Sequence, residues 1–161
     1  LFAYKSYDPA FDGKIPGLIR ITLDRNFIRD NNVPESVRMY KDSLLIFDEI
    51  DLVENKDIRN TLMNLKNRAL QLGRANNTSV ISIQHKSLGG QMSLVEFTEC
   101  KTIVIFPKSD FMQARQVLRK LNFDKFEIDS ILDSLGKRQR WMAILKPNII
   151  ITENYVKIID L

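Results

Sequence analysis

Apolar residues come in short blocks along the chain, and these blocks predict a set of strands. The run at residues 43–47 ends at Asp48 and Glu49. Because it does not alternate with polar residues, we expect both of its faces to be buried, as in a central parallel strand covered by helices. Further strands are predicted at residues 1–4, 18–23, 80–84 and 102–106.

Other segments repeat their apolar residues every three or four positions, which is typical of amphipathic helices. The clearest is residues 57–72, which we expect to end at Gly73. Its polar positions are predicted to face solvent: Arg59, Asn60, Asn64, Lys66, Asn67, Arg68 and Gln71. Shorter helices are predicted at residues 94–97, 110–121 and 125–135, and residues 141–159 predict an antiparallel hairpin or meander.

Alternation of strands and helices predicts an α/β fold with a mainly parallel sheet between helical layers and a C-terminal β-hairpin. The 161 residues suggest a single domain, residues 1–161. In such sheets ligands bind beyond the carboxyl ends of the strands. The residues at those ends are therefore the candidates for function.

Composition excludes several kinds of protein. One cysteine, Cys100, and one histidine, His85, are too few for a disulfide framework or a zinc cage. Apolar runs of about five residues are far shorter than the ~20 that a membrane-spanning helix needs, and nothing within residues 1–161 resembles a cleavable secretion signal. The net charge of +4 permits nucleic-acid contact without requiring it.

Acids and an amide follow two of the predicted strands. Asp48 and Glu49 could divide the work of holding a phosphate-bound Mg²⁺ and polarising a water, since neighbouring residues of a strand point in opposite directions. Gln84 closes the next strand and could donate to a phosphate or accept from a water. The alternative for all three is a solvated strand end.

Basic residues offer further candidates. Arg68 and Arg74 flank the end of the predicted helix, where Arg68 is better explained as compensating the helix C-terminus. Arg74 and Arg115 could each stabilise charge during phosphoryl transfer. The chain offers two candidate DNA contacts. One is residues 86–90, which begin at Lys86, and the other is the cluster Lys137, Arg138 and Arg140, for which a solvated basic turn is the alternative.

Several segments resemble the packaging ATPases of nucleocytoplasmic large DNA viruses, within the FtsK/HerA class. Residues 40–51, YKDSLLIFDEID, are similar to the Walker B strand of that family. Residues 80–86, VISIQHK, resemble its sensor strand, and residues 72–77 resemble the segment that enters it, with Gly-Arg-Ala in place of the frequent Gly-Arg-His. Residues 97–108 and the strand after Arg140 resemble the later strands of the family.

The resemblance implies a P-loop NTPase that forms a homo-oligomeric ring, a hexamer or pentamer, and uses ATP and Mg²⁺ to move double-stranded DNA into a viral capsid. It implies that Asp48 organises Mg²⁺ through water, Glu49 activates water and Gln84 senses the γ-phosphate. Arg74, or else Arg115, would be the finger that acts on a neighbouring subunit. A capsid or portal protein would be a partner, and the host cytoplasm and the virion would be the locations.

One family feature is missing from these residues. The phosphate-binding loop G-x-x-x-x-G-K-[ST] does not occur, since Gly13-Lys14 lacks the earlier glycine and is followed by Ile15. We expect that the sequence lacks the first part of its ATPase domain and that residues 1–161 alone neither bind nor hydrolyse ATP. The alternatives are a cellular or plasmid translocase of the same class and a degenerate subunit that binds DNA or serves structure.

Overall fold

A computed structural model describes residues 1–3, 7, 9, 12–84, 94–107, 111–135, 140–146 and 149–158. The chain forms two compact units, Leu1–Glu99 and Cys100–Leu161. In the first unit the strands are Phe2–Ala3 (β1), Leu44–Asp48 (β2) and Ser79–Ile83 (β3). Its α-helices are Arg25–Asn31 (α1), Lys56–Leu72 (α2) and Leu94–Glu99 (α3), and its 3₁₀ helices are Pro34–Tyr40, Ile50–Leu52 and Gly73–Asn76. The second unit contains Thr102–Ile105 (β4), Phe111–Lys120 (α4), Lys125–Ser134 (α5), Met142–Leu145 (β5), Ile149–Thr152 (β6) and Val156–Ile158 (β7).

The first unit has a parallel sheet in the order β1–β2–β3. The acidic pair therefore ends the central strand, with the end of β3 beside it. In the register, Asp48 pairs with Ala3 on one side and with Ile83 on the other. The prediction that the acids and Gln84 follow neighbouring strands is confirmed.

Helices cover one face of this sheet. Phe47 is fully buried there, and its ring stacks on that of Phe2 with centroids 4.8 Å apart. Leu62, Leu65 and Ala69 of α2 belong to the same buried cluster. Phe27 of α1 also joins this cluster, so one apolar layer anchors the strand that carries the acids.

The opposite face of the sheet is open within the described residues. Leu44, Ile81 and Ile83 are 52%, 45% and 46% exposed. In the register, Ile46 pairs with Ile81, so these side chains share the face that the helices do not cover. The prediction that both faces of β2 are buried is therefore wrong for the described structure, because the described helices that pack on this sheet lie on one side.

Helix α2 confirms the amphipathic pattern. Its N-cap is Asn55, whose side chain accepts hydrogen bonds from the backbone N–H groups of Asp57 and Ile58. It ends at Gly73, as predicted, but Gly73 has right-handed backbone angles and continues into a 3₁₀ turn. A Cβ at Gly73 would lie 2.6 Å from the carbonyl oxygen of Thr78. A close approach, rather than a left-handed turn, therefore requires the glycine.

The second unit corrects the expectation of a mainly parallel sheet. Strands β4, β5, β6 and β7 form an antiparallel sheet in chain order. The predicted meander at the C-terminal end is confirmed, but β4 pairs antiparallel with β5 and is not part of the parallel sheet. A short apolar run in a sequence does not show whether the neighbouring strand is parallel or antiparallel. The sequence pattern therefore could not assign β4 to a sheet.

The segment before α1 differs from its prediction. Residues 18–23 do not form a strand, although Ile21 N–H donates to the carbonyl of Leu1 and the amino group of Leu1 donates to the carbonyl of Ile19. The segment thus runs beside the start of β1. Helix α1, which the pattern did not predict, begins after the N-cap Asp24.

Candidate active site

The acidic pair lies where the central strand stops. Asp48 is the last residue of β2, and the backbone of Glu49 is left-handed, with φ 52° and ψ 34°. The N–H of Glu49 donates to the carbonyl of Ile83 at 3.3 Å, which ties the two strand ends together. Left-handed backbone costs a non-glycine residue roughly 1–2 kcal/mol, and such outliers concentrate at functional sites.

Gln84 follows β3 at the same edge, and its side chain is held by two acceptors. Its Nε2 donates to Glu96 Oε1 at 2.7 Å and to Ser82 Oγ at 3.2 Å. Ser82 Oγ in turn donates to Glu96 Oε1 at 3.2 Å. Because Val80 of the same strand packs against the buried cluster, residues 80, 82 and 84 share the helix-covered face.

Asp48 and Gln84 therefore share an edge but not a face. Asp48 pairs with Ile83 in the register and alternates with the buried Phe47, which places it on the open face. Glu49 occupies the turn between the two faces. The structure brings the three backbones together, whereas it separates the side chains of Asp48 and Gln84 by the thickness of the sheet edge.

Behind Gln84 lies a buried ion pair that the sequence analysis missed. Lys66 of α2 and Glu96 of α3 are 0% and 4% exposed, and Lys66 Nζ lies 2.5 Å from Glu96 Oε1. The prediction that Lys66 faces solvent is wrong. Its position four residues after Leu62 was the available signal, because that spacing places both on one helix face.

Arg74, the first candidate for a finger, lies in the turn between α2 and β3 and is exposed. That turn precedes β3, so it is at the amino edge of the sheet, while Asp48 is at the carboxyl edge. Five strand residues span about 16 Å. Arg74 cannot serve the acids of its own chain over that distance, and its action on a neighbouring subunit stays a prediction.

Arg115, the second candidate, is held within the second unit. Its guanidinium lies 5.0 Å from the centre of the Phe111 ring, and Nη2 lies 2.5 Å from Asp129 Oδ1. These contacts tie α4 to α5 and restrain the side chain. They give Arg115 a packing role there, and its part in phosphoryl transfer stays a prediction.

The candidate DNA contacts fall mostly outside the described residues, which exclude Lys86, Lys137 and Arg138 as well as His85. Arg140 is described. Its side chain is 83% exposed, with Nε 3.6 Å from Glu153 Oε1. An exposed, loosely paired guanidinium is available to a polyanion, and DNA binding stays a prediction.

Within the described residues no group of three or more His, Cys, Asp or Glu side chains is placed to hold a metal ion. Mg²⁺, however, is commonly held by one or two carboxylates together with substrate phosphates and waters. The oxygen ligands of Asp48 and Glu49 fit that requirement. In the described part of the chain no helix is long and apolar enough to cross a membrane.

Comparison with known proteins shows a similarity to a viral protein. The chain is similar to a protein of Sputnik virophage described as "Uncharacterized protein V3", with 31% identity over 128 residues. The alignment covers 76% of this chain and 51% of the virophage protein, so the chain spans about half the length of that curated relative. No protein-family model matches the chain, and no solved structure matches it. The similarity is thus to a viral protein whose description gives no activity.

Proposed function

We propose that the full-length protein is an ATP-driven motor that packages double-stranded DNA into a viral capsid. The observation that carries the proposal is the carboxyl edge of the parallel sheet, where Asp48 ends the central strand and Glu49 takes a left-handed backbone hydrogen-bonded to the end of β3. The resemblance to FtsK/HerA-class packaging ATPases and the similarity to a virophage protein support it.

In this proposal the two acids at the edge, Asp48 and Glu49, have separate roles. Asp48, on the open face, holds the water shell of the Mg²⁺ that accompanies ATP. Glu49 accepts a proton from the attacking water while the water oxygen bonds to the γ-phosphorus and the bond to the bridging β–γ oxygen breaks. The phosphate-binding loop is not within residues 1–161, so the proposal concerns the full-length protein. The P-loop NTPase fold is part of the proposal.

The partners and location follow from the same proposal. The protein would act as a homo-oligomeric ring on double-stranded DNA, with a capsid or portal protein as its dock, in the host cytoplasm and the virion. Arg74 would act on the neighbouring subunit's nucleotide. A cellular translocase or a degenerate DNA-binding subunit remains an alternative, and the second of these predicts no hydrolysis.

The test is ATP hydrolysis by full-length protein with and without double-stranded DNA. We expect DNA to raise the rate, and Glu49→Gln to lower it by about 10²–10⁴-fold because the group that takes the proton is lost. Nucleotide affinity should stay within a factor of about two, since Glu49 is not assigned to binding the phosphates.

The matched control is Glu54→Gln, which changes an exposed glutamate a few residues later. It should hydrolyse ATP at the wild-type rate. A Glu49→Gln variant as active as wild type would remove Glu49 from the mechanism. A wild-type protein that hydrolyses no ATP would favour the degenerate subunit instead.

A further inference from the structure

We propose that Lys66 and Glu96 are positioning residues. They orient the Gln84 amide so that its oxygen, Oε1, accepts a hydrogen bond from the attacking water. The inference rests on the proposed function, and it changes the role expected of Gln84. A side chain that senses the γ-phosphate has to donate a hydrogen bond to it. The contacts of Gln84 instead commit its donors elsewhere.

The hydrogen bonds of the Gln84 amide nitrogen determine which atom of the side chain can face a ligand. A glutamine amide has two N–H donors on Nε2 and one acceptor oxygen, Oε1. Nε2 lies within hydrogen-bond distance of two acceptors, Glu96 Oε1 and Ser82 Oγ. A carboxylate paired with a lysine accepts and does not donate, so the amide nitrogen has to face Glu96. Among the described residues, Oε1 is then the group that Gln84 can present to a ligand.

Glu96 Oε1, which accepts from the Gln84 amide, is held in place by its other contacts. Glu96 Oε1 is fixed by Lys66 from α2 while it receives Ser82 and Gln84 from the strand side. Both members of the ion pair are buried, and the hydrogen bonds that Ser82 and Gln84 donate to the Glu96 carboxylate are charge-assisted, which makes them stronger than neutral ones. The pair therefore links two helices to the end of β3 and sets the direction of the Gln84 amide.

The Gln84 oxygen and Glu49 can together orient the attacking water. An acceptor oxygen at the edge can take one O–H of a water whose other O–H goes to Glu49, which orients the oxygen lone pair for attack. An oxygen facing the γ-phosphate would instead repel it. The described arrangement therefore favours a role in orienting water, which changes the rate of hydrolysis without changing the preference for ATP over ADP.

The experiment compares kinetics with binding in the full-length protein. Gln84→Met should lower kcat by about 10²-fold, the loss expected when a reacting water is misplaced by ~1 Å. The ratio of Kd values for a non-hydrolysable ATP analogue and for ADP should not change. If Gln84→Met instead brings the analogue's Kd close to that of ADP, Gln84 binds the γ-phosphate and the inference is overturned.

The positioning role is tested by removing the pair. The double variant Lys66→Met with Glu96→Met leaves no buried charge, and such apolar replacements are often tolerated. We expect its kcat to fall as in Gln84→Met. Lys66→Met with Glu96→Gln keeps an acceptor for Nε2 and should recover most of the rate, which a packing role for the pair would not produce. Glu99→Met, an exposed change on the same helix, is the control.

A second readout does not depend on turnover or on the double variant folding. The Nε2 hydrogens of wild-type Gln84 should exchange with solvent measurably more slowly by NMR than those of the exposed Gln71. Equal exchange rates would overturn the inference, as would equal kcat for the Met and Gln forms at residue 96. A wild-type protein without ATP hydrolysis would overturn the proposed function and this role with it, whereas the other outcomes affect only Gln84 and its supports.

Discussion

Glu49 combines a proposed chemical role with an uncommon backbone. Its φ of 52° follows directly after a regular strand, and among non-glycine residues such angles favour asparagine and aspartate. The turn lets β2 end at Asp48 while the Glu49 N–H reaches the carbonyl of Ile83. Strain of this kind persists where surrounding contacts hold it and where geometry serves function.

The strain can be measured by comparing two truncations of Glu49. Glu49→Gly and Glu49→Ala lose the same side-chain interactions, but only glycine accepts φ of 52° without penalty. We expect the free energy of unfolding, measured by urea titration, to be about 1 kcal/mol larger for Glu49→Gly than for Glu49→Ala. The control pair Glu54→Gly and Glu54→Ala should show the reverse order, because the backbone there is not left-handed. The same order at both positions would contradict the account.

Sequence reasoning found the residues at the strand ends but not their supports. Asp48, Glu49 and Gln84 were recognisable because polar groups that follow an apolar strand need a partner. The pattern predicts that Lys66 faces solvent because lysine is charged, although its spacing from Leu62 places the two on one helix face. Nothing in the sequence pairs it with Glu96, since the two are thirty residues apart and meet only through packing of α3 against α2.

Gly73 joins α2 to β3 and fixes how closely they approach. The Thr78 N–H donates to the Gly73 carbonyl at 2.8 Å, and the Thr78 carbonyl oxygen lies 2.6 Å from the position that a Cβ of residue 73 would take. The sequence predicted the end of the helix at this glycine but gave a different reason for it. Only the tertiary contact explains why a side chain is excluded.

Gly73→Ala should therefore destabilise the protein although alanine is the better helix former. We expect a loss of about 1–3 kcal/mol in the free energy of unfolding, the usual cost of overpacking against atoms that cannot move away. Asn64→Ala on the exposed side of α2 is the control, and helix propensity alone should make it neutral or slightly stabilising. A Gly73→Ala variant at least as stable as wild type would contradict the close approach.

The strands show the limit of pattern reasoning more clearly than the helices. The sequence predicts helix α2 because the spacing of apolar residues that marks a helix lies within the segment itself. The partners of β4 and the open face of β2 depend on distant segments, so a run of apolar residues predicted strands there without their neighbours. Leu44 is exposed on that open face although the pattern predicts that both faces of its strand are buried.

The two compact units carry different parts of the account. The first, Leu1–Glu99, holds Asp48, Glu49, Gln84 and the buried pair. The second, Cys100–Leu161, holds Arg115 and Arg140, one of the basic residues considered for DNA. The similarity to a virophage protein covers about half of that relative, so the activity has to be tested in the full-length protein.

The most direct test of the central claim is the Mg²⁺ dependence of ATP hydrolysis in full-length protein carrying Asp48→Asn. If Asp48 orders the water shell of the metal, half-maximal rate should need about 10–100-fold more Mg²⁺ than wild type needs. Asp42→Asn is the matched control at the other end of β2, where asparagine also tolerates the left-handed backbone, and its Mg²⁺ requirement should match wild type. Wild-type rate and wild-type Mg²⁺ requirement in Asp48→Asn would contradict a nucleotide–magnesium site at this edge.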